Sequence, residues 1–174
     1  MRQTKRITLS AMMVALSVAF LTVGAVWEVL DLSLCAFASV FVAFVYIEIG
    51  SPYTWLVWLS TSLITAIIFP GSIVWAEYLG LFGIYPILKA YIEKLPRFLW
   101  IILKLVYINA VAVAAIFLVE IVFSIPFFTG DVWWINAGLY LLINVAFFAY
   151  DIFLTVLVRA YMTNFRHRFR KFLK

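Results

Sequence analysis

The chain of 174 residues is 67% hydrophobic and 12% charged, whereas soluble domains are about 45–50% apolar and about 25% charged. So few polar side chains cannot cover a core in water, which excludes a soluble domain and predicts an integral membrane protein with a single domain, residues 1–174. The formal net charge of +5 indicates membrane topology in such a protein, and we expect no nucleic acid as a partner.

Six apolar runs are long enough for transmembrane helices, because about 20 residues cross the hydrocarbon core of a bilayer. Residues 50–52 and 70–71 contain Gly and Pro, which end the second and third runs. The runs are too long for barrel strands, so we expect an all-α protein, a compact bundle of six transmembrane helices. The predicted spans are 7–26, 32–49, 53–69, 72–91, 98–124 and 132–162, followed by a basic tail, 164–174.

The distribution of Lys and Arg predicts the topology. With six spans, one side of the membrane carries both termini and all the basic residues outside the spans. The loops of the other side, near residues 27–31, 70–72 and 125–132, contain no Lys or Arg. Basic loops stay in the cytoplasm, so we expect a multi-pass protein of the cell membrane with the N- and C-termini cytoplasmic. Five or seven spans would divide the charges between both faces.

Polar residues within the last two runs predict a buried contact. Ionisable side chains inside a bilayer are costly and usually face the bundle interior. Asn144, Asp151 and Thr155 share one face of the sixth run, and Lys104 lies in the fifth run at a depth similar to that of Asp151. Since neighbours joined by a short connection are antiparallel, we expect a structural Lys104–Asp151 ion pair. The alternative is that Lys104 extends to the cytoplasmic surface.

A set of carboxylates and aromatic residues lies in the outward half of the predicted bundle. Its members come from the loop after the first run and from the fourth, fifth and sixth runs. Carboxylates beside aromatic faces suit a cationic or amine-bearing solute, so we predict a substrate pocket open to the outside. The alternative is that the loop carboxylates are simply solvated. The predicted lining residues are Glu28, Asp31, Glu77, Glu120, Trp27, Trp75, Tyr78 and Asn136.

Signatures of catalysis and of metal or cofactor binding are missing from the sequence. His167 is the only histidine and lies in the basic tail, and no phosphate-binding Walker motif occurs. A membrane enzyme acting on lipid would need a nucleophile or metal set within the spans. We therefore expect no enzyme activity, no metal and no cofactor, and ATP hydrolysis by this chain alone is not expected.

Three alanines form a stripe on the first run. Ala11, Ala15 and Ala19 are four residues apart, so they share one helix face. Small residues let two helices approach closely, and close approach is what favours packing between helices in a bilayer. The spacing alone allows the stripe to face either a partner protein or the chain's own bundle.

The layout of six spans, with Arg6-Ile7-Thr8-Leu9 leading into the alanine stripe, resembles the S components of energy-coupling factor (ECF) vitamin transporters. The resemblance implies that Ala11, Ala15 and Ala19 dock a transmembrane T component and that two separate ATPase subunits hydrolyse ATP. It also implies that the chain captures a vitamin or other small micronutrient at the outer face and topples in the membrane to release it inside. The alternative is a non-transporting scaffold of a bacterial envelope or cell-shape complex, which predicts a solid outer half.

Overall fold

A computed structural model describes residues 3–122 and 133–166 of the chain. Regular structure in these residues is entirely helical, and they contain no strand, so the predicted all-α class is confirmed for them. Five of the described helices are long and apolar enough to cross a membrane, as expected of a multi-pass membrane protein. These candidate spans are Gln3–Val26, Asp31–Glu48, Ser51–Ile68, Phe98–Phe117 and Ala137–Asn164.

The helix bounds agree with the predicted spans to within four residues, except in the fourth span. The α-helices are α1 (Gln3–Val26), α2 (Asp31–Glu48), α3 (Ser51–Ile68), α4 (Val74–Glu77), α5 (Tyr85–Ile92), α6 (Arg97–Val122) and α7 (Trp133–Ala160). A 3-10 turn, Glu28–Leu30, precedes α2, and π-helical turns occupy Tyr78–Phe82 and Tyr161–Phe165.

The break between α2 and α3 has a local cause. Gly50 has φ 107°, a left-handed backbone conformation that glycine adopts without a Cβ penalty. Pro52 follows in the first turn of α3, where its missing N–H would have had no helical acceptor. The chain therefore reverses over residues that the sequence marks clearly.

The predicted fourth span, 72–91, is not one continuous helix. Pro86 cannot donate a helical hydrogen bond, and its ring clashes with the carbonyl four residues earlier, that of Phe82. Just before the proline, the chain forms a π-helical turn. In this turn the backbone N–H of Gly83 donates to the carbonyl of Tyr78 at 2.7 Å. A Cβ on Gly83 would lie 2.7 Å from Trp58 Cδ1, so only glycine fits here. The segment consists of α4, the π-helical turn and α5.

This divided segment nevertheless follows α3 along its length. Near its middle, Trp58 Nε1 donates to the carbonyl of Leu79 at 3.1 Å. Near its end, the hydroxyls of Ser51 and Tyr91 lie 3.0 Å apart. Helix α4 contacts α1, α2 and α3. The segment therefore lies beside α3, where a fourth span is expected, although its helices are short.

Contacts divide the chain into two compact units, Met1–Tyr91 with Leu154–Lys174 (unit 1) and Ile92–Phe153 (unit 2). In unit 1, α1 packs against α2 and α3, and fully buried side chains such as Leu21 and Val42 form its core. In unit 2, the rings of Tyr107 on α6 and Phe147 on α7 have centroids 6.0 Å apart. A single domain, residues 1–174, stays a prediction.

Candidate functional site

Helix α1 packs within unit 1 through a face of small residues. Ser10, Ser17 and Gly24 recur every seven residues, and all three are buried together with Met13 and Leu21. An ideal Cβ on Gly24 would lie 3.4 Å from the Cα of Asp31, so the end of α1 runs close to the start of α2. This face, which the sequence reasoning missed, supplies the close approach that favours helix packing in a bilayer.

The alanine stripe lies on a different face of α1. Ala11, Ala15 and Ala19 are all exposed, and so are the neighbouring side chains of Met12 (55%) and Leu16 (41%). The packing of α1 within unit 1 therefore leaves the stripe uncovered. The recurrence of small residues every seven positions was the signal in the sequence that could have distinguished the two faces.

Four of the predicted pocket residues, Asp31, Trp75, Glu77 and Tyr78, lie on elements that meet at one end of unit 1. Helix α4 contacts the helix that Asp31 begins, α2, and the buried Cys35 Sγ lies 3.8 Å from the carbonyl of Val74. Asp31 acts electrostatically on Glu77, and both carboxylates act on Cys35. We call Asp31, Cys35, Trp75, Glu77 and Tyr78 the acidic end.

Polar atoms without hydrogen-bond partners are concentrated at this end. Among the described residues, the buried atoms Trp75 Nε1 and Glu77 Oε2 have no hydrogen-bond partner. Tyr78 and Thr61 are 0% exposed. The Tyr78 hydroxyl interacts with the hydroxyls of Ser17 and Thr61. Each unpaired buried polar group costs about 1–3 kcal/mol, so the two unpaired atoms make this end of unit 1 costly to bury.

Of the other four predicted pocket residues, Trp27 is the one whose side chain the structure describes. Trp27 is 62% exposed at the end of α1. The side chains of Glu28, Glu120 and Asn136 lie outside what the structure describes, and the positions of Glu120 and Asn136 belong to unit 2. A pocket lined by all eight residues stays a prediction.

Unit 2 contains the ion pair between α6 and α7. Lys104 Nζ lies 2.6 Å from Asp151 Oδ2, and the two residues are 7% and 8% exposed. A second carboxylate oxygen, Glu93 Oε1, lies 3.9 Å from the same Nζ. Asn144, on the same face of α7 as Asp151, donates to the carbonyl of Tyr140 in its own helix. The Lys104 ammonium is therefore satisfied inside the protein.

A second buried lysine occurs in unit 1. Lys89 on α5 is 6% exposed, and its Nζ donates to Thr155 Oγ1 at 2.8 Å. The Nζ also lies 5.9 Å from the centroid of the Tyr85 ring, within the range of a cation–π contact. In the sequence, Lys89 lies next to the most polar connection of the chain, so its burial is not evident from the sequence.

A carboxylate anchors the end of α7 within unit 1. The Glu48 side chain is 3% exposed and lies 3.4 Å from Arg166 Nε. The hydroxyl of Tyr161 donates to the same carboxylate at 3.2 Å. These two contacts hold the end of α2 against the helical turns that follow α7, so their role is structural.

No group of three or more His, Cys, Asp and Glu residues that could hold a metal ion occurs in residues 3–122 and 133–166. Comparison of the chain with protein-family models, with curated proteins and with solved structures gave no match. The function of the chain is therefore inferred from the chemistry and position of its side chains.

Proposed function

We propose that this chain is the substrate-binding S component of an ECF-type importer. It binds a vitamin or other small micronutrient at the outer face of the cell membrane and delivers it inward, with a separate transmembrane T component and two ATPase subunits. The observation that carries this proposal is the exposure of Ala11, Ala15 and Ala19 on α1.

The two faces of α1 that carry small residues differ in what they contact. Close packing within unit 1 uses the face of Ser10, Ser17 and Gly24. A helix face that contacts only lipid gains nothing from small side chains. The exposed positions of α3 are an example of such a face, because they carry large apolar side chains such as Leu63 and Ile67. Three exposed alanines in a row therefore favour close approach by a helix of another protein.

The proposed direction of transport follows from charge. Lys5 and Arg6 lie in the first turns of α1, and Asp31 follows its other end. By the positive-inside rule, the basic end of α1 lies in the cytoplasm, so the acidic end faces outward. Capture from outside then takes place at the acidic end, and both termini are cytoplasmic.

Co-purification tests this proposal. The tagged full chain is expressed in its native host, extracted in mild detergent and analysed for bound proteins and for ATP hydrolysis. We expect ATPase subunits and a T component to accompany the wild-type chain. Ala15→Trp fills the stripe and should abolish this capture. Leu63→Trp, a change to the same residue at an exposed large position of α3, should retain it.

Two outcomes would contradict the proposal. The first is capture of the same ATPases by Ala15→Trp at wild-type levels, provided that its melting temperature equals that of Leu63→Trp. The second is co-purification of cell-envelope proteins without any ATPase, which is the result expected of a scaffold.

A further inference from the structure

Three helices of unit 1 bring one end each to the same level. Helix α2 follows α1 after the turn Glu28–Leu30 and packs against it, so the two are antiparallel and Glu48, the last residue of α2, lies level with the first turns of α1. The hydroxyl of Tyr161 donates to Glu48 at 3.2 Å, which brings the end of α7 to the same level. Helix α2 has 18 residues and is about 27 Å long at about 1.5 Å per residue, close to the hydrocarbon thickness of about 30 Å. With α2 across the membrane, these three ends lie at its surface.

Glu48 is the carboxylate of unit 1 at this end. The others in the sequence of unit 1 are Glu28, Asp31 and Glu77. Glu28 and Asp31 follow the far end of α1, and Glu77 interacts electrostatically with Asp31. The Glu48 side chain is 3% exposed, so the described surface of this end presents no carboxylate of unit 1.

A π-helical turn encloses the Glu48 carboxylate. Tyr161 and Arg166 are five residues apart, which is about 140° around an α-helix of about 3.6 residues per turn. In the π-helical turn Tyr161–Phe165, the backbone N–H of Arg166 donates to the carbonyl of Tyr161, so residues five apart lie on one face. Arg166 Nε lies 3.4 Å from Glu48 Oε1, the atom to which Tyr161 donates. The turn therefore withdraws this carboxylate from the surface.

The charged residues of unit 1 at the surface of this end are basic. Lys5 and Arg159 are exposed, and Arg6 is partly exposed. Positive charge at the edge of a bilayer attracts anionic headgroups, and the attraction grows with each Lys or Arg close to the surface. The enclosure of Glu48 removes the charge of unit 1 that would oppose this attraction.

The basic tail, 164–174, continues the same pattern in the sequence. Phe165, Phe169 and Phe172 recur every three or four residues, a spacing that predicts one apolar face beside a basic one. Such segments lie at the boundary between hydrocarbon and headgroups. Because Arg166 is held at Glu48, the tail begins at this boundary. Its other basic residues, apart from His167, are Arg168, Arg170, Lys171 and Lys174.

We infer that this end of unit 1 binds the headgroups of anionic phospholipids. The binding residues, which we call the basic surface, are Lys5, Arg6 and Arg159 together with the Lys and Arg residues of the tail after Arg166. The alternative is that these charges only direct topology, which requires no preference between lipids in the folded protein. The inference does not depend on the proposed importer.

Local lipid preference is measured on the full chain in phosphatidylcholine vesicles. A fluorophore is attached to the Asn164→Cys variant, at an exposed position of the π-helical turn, and the native Cys35 is buried away from the label. The quencher is phosphatidylglycerol that carries a nitroxide or, at the same mole fraction, phosphatidylcholine with the same nitroxide. The matched control is Val29→Cys, at a position 95% exposed beyond the other end of α1.

We expect the anionic lipid to quench the label at residue 164 at least about twofold more strongly than the zwitterionic lipid, and the label at residue 29 no more strongly. Replacement of Arg168, Arg170 and Lys171 by Gln should remove most of this preference. Replacement of the two arginines by Lys and of Lys171 by Arg keeps the charge and should keep the preference. High salt should lower it, because salt screens exposed charges.

Three results would each overturn the inference: equal quenching by the two lipids at residue 164, the same preference at residues 164 and 29, or no effect of the Gln variant. Inorganic phosphate separates a lipid headgroup from a free anion. It should lower the preference no more than chloride does at the same ionic strength. A selective loss in phosphate would assign the basic surface to free phosphate instead.

Discussion

Removal of one partner from the buried ion pair of unit 2 gives the most direct test of the packing between α6 and α7. Asp151→Asn keeps the size of the side chain and removes its charge. Lys104 is 7% exposed, so its ammonium cannot regain water without movement of the helix. We therefore expect the variant to fold less stably than the wild-type chain.

The size of the loss follows from the geometry around Lys104. Breaking a buried ion pair costs about 3–5 kcal/mol, because the remaining charge is left uncompensated. Glu93 Oε1, at 3.9 Å, remains, whereas the Asp151 contact is 2.6 Å. Coulomb energy falls with distance, and the Glu93 side chain is 38% exposed, so Glu93 compensates only in part. We expect a loss of about 3 kcal/mol, at the lower end of that range.

The assay is reversible unfolding in mixed micelles, with an increasing fraction of denaturing detergent. Lys104→Met combined with Asp151→Leu removes both charges and should cost much less than either single change, since apolar replacements of buried pairs are often neutral. A loss under about 1 kcal/mol for Asp151→Asn, or additive effects in the double variant, would refute the reasoning.

Two further predictions use the same unfolding assay. Gly83→Ala places a methyl group 2.7 Å from Trp58 Cδ1 and should lower the free energy of unfolding by about 1–3 kcal/mol. Its control is Gly80→Ala, where no atom lies within 4 Å of the added carbon, and this change should cost no more than about 0.5 kcal/mol. Leu21→Ala removes most of a fully buried side chain and should lower the free energy of unfolding by about 2–5 kcal/mol. Its control is Leu16→Ala, at a position 41% exposed, which should cost under about 1 kcal/mol. Equal losses within either pair would contradict the packing described.

The ion pair is an example of a buried contact that can be predicted from the sequence only in part. Helical rise and the antiparallel connection place Lys104 and Asp151 at one depth, so their contact at 2.6 Å follows from local rules. The approach of Glu93 to Lys104 does not follow from such rules, because it depends on how the connection between α5 and α6 folds. Lys89 was missed for a related reason, since its partner Thr155 is distant in sequence.

The fourth span shows the limit of hydropathy. Residues 72–91 are apolar enough to be read as one helix, and Pro86 stands visibly within them. Whether a proline kinks a helix or divides it depends on what surrounds the break. Here the side chain of Trp58 lies against Gly83, and a π-helical turn with two short helices results.

The sequence by itself determined the membrane class and the ends of most helices, because apolar content, glycine and proline act locally on the chain. It also determined that three alanines share one face of α1. Only the tertiary structure decided that this face stays exposed while Ser10, Ser17 and Gly24 pack inward. It also decided that Asp31 and Glu77 act on each other at one end of unit 1. Both outcomes depend on which helices become neighbours, and helical periodicity alone does not specify neighbours.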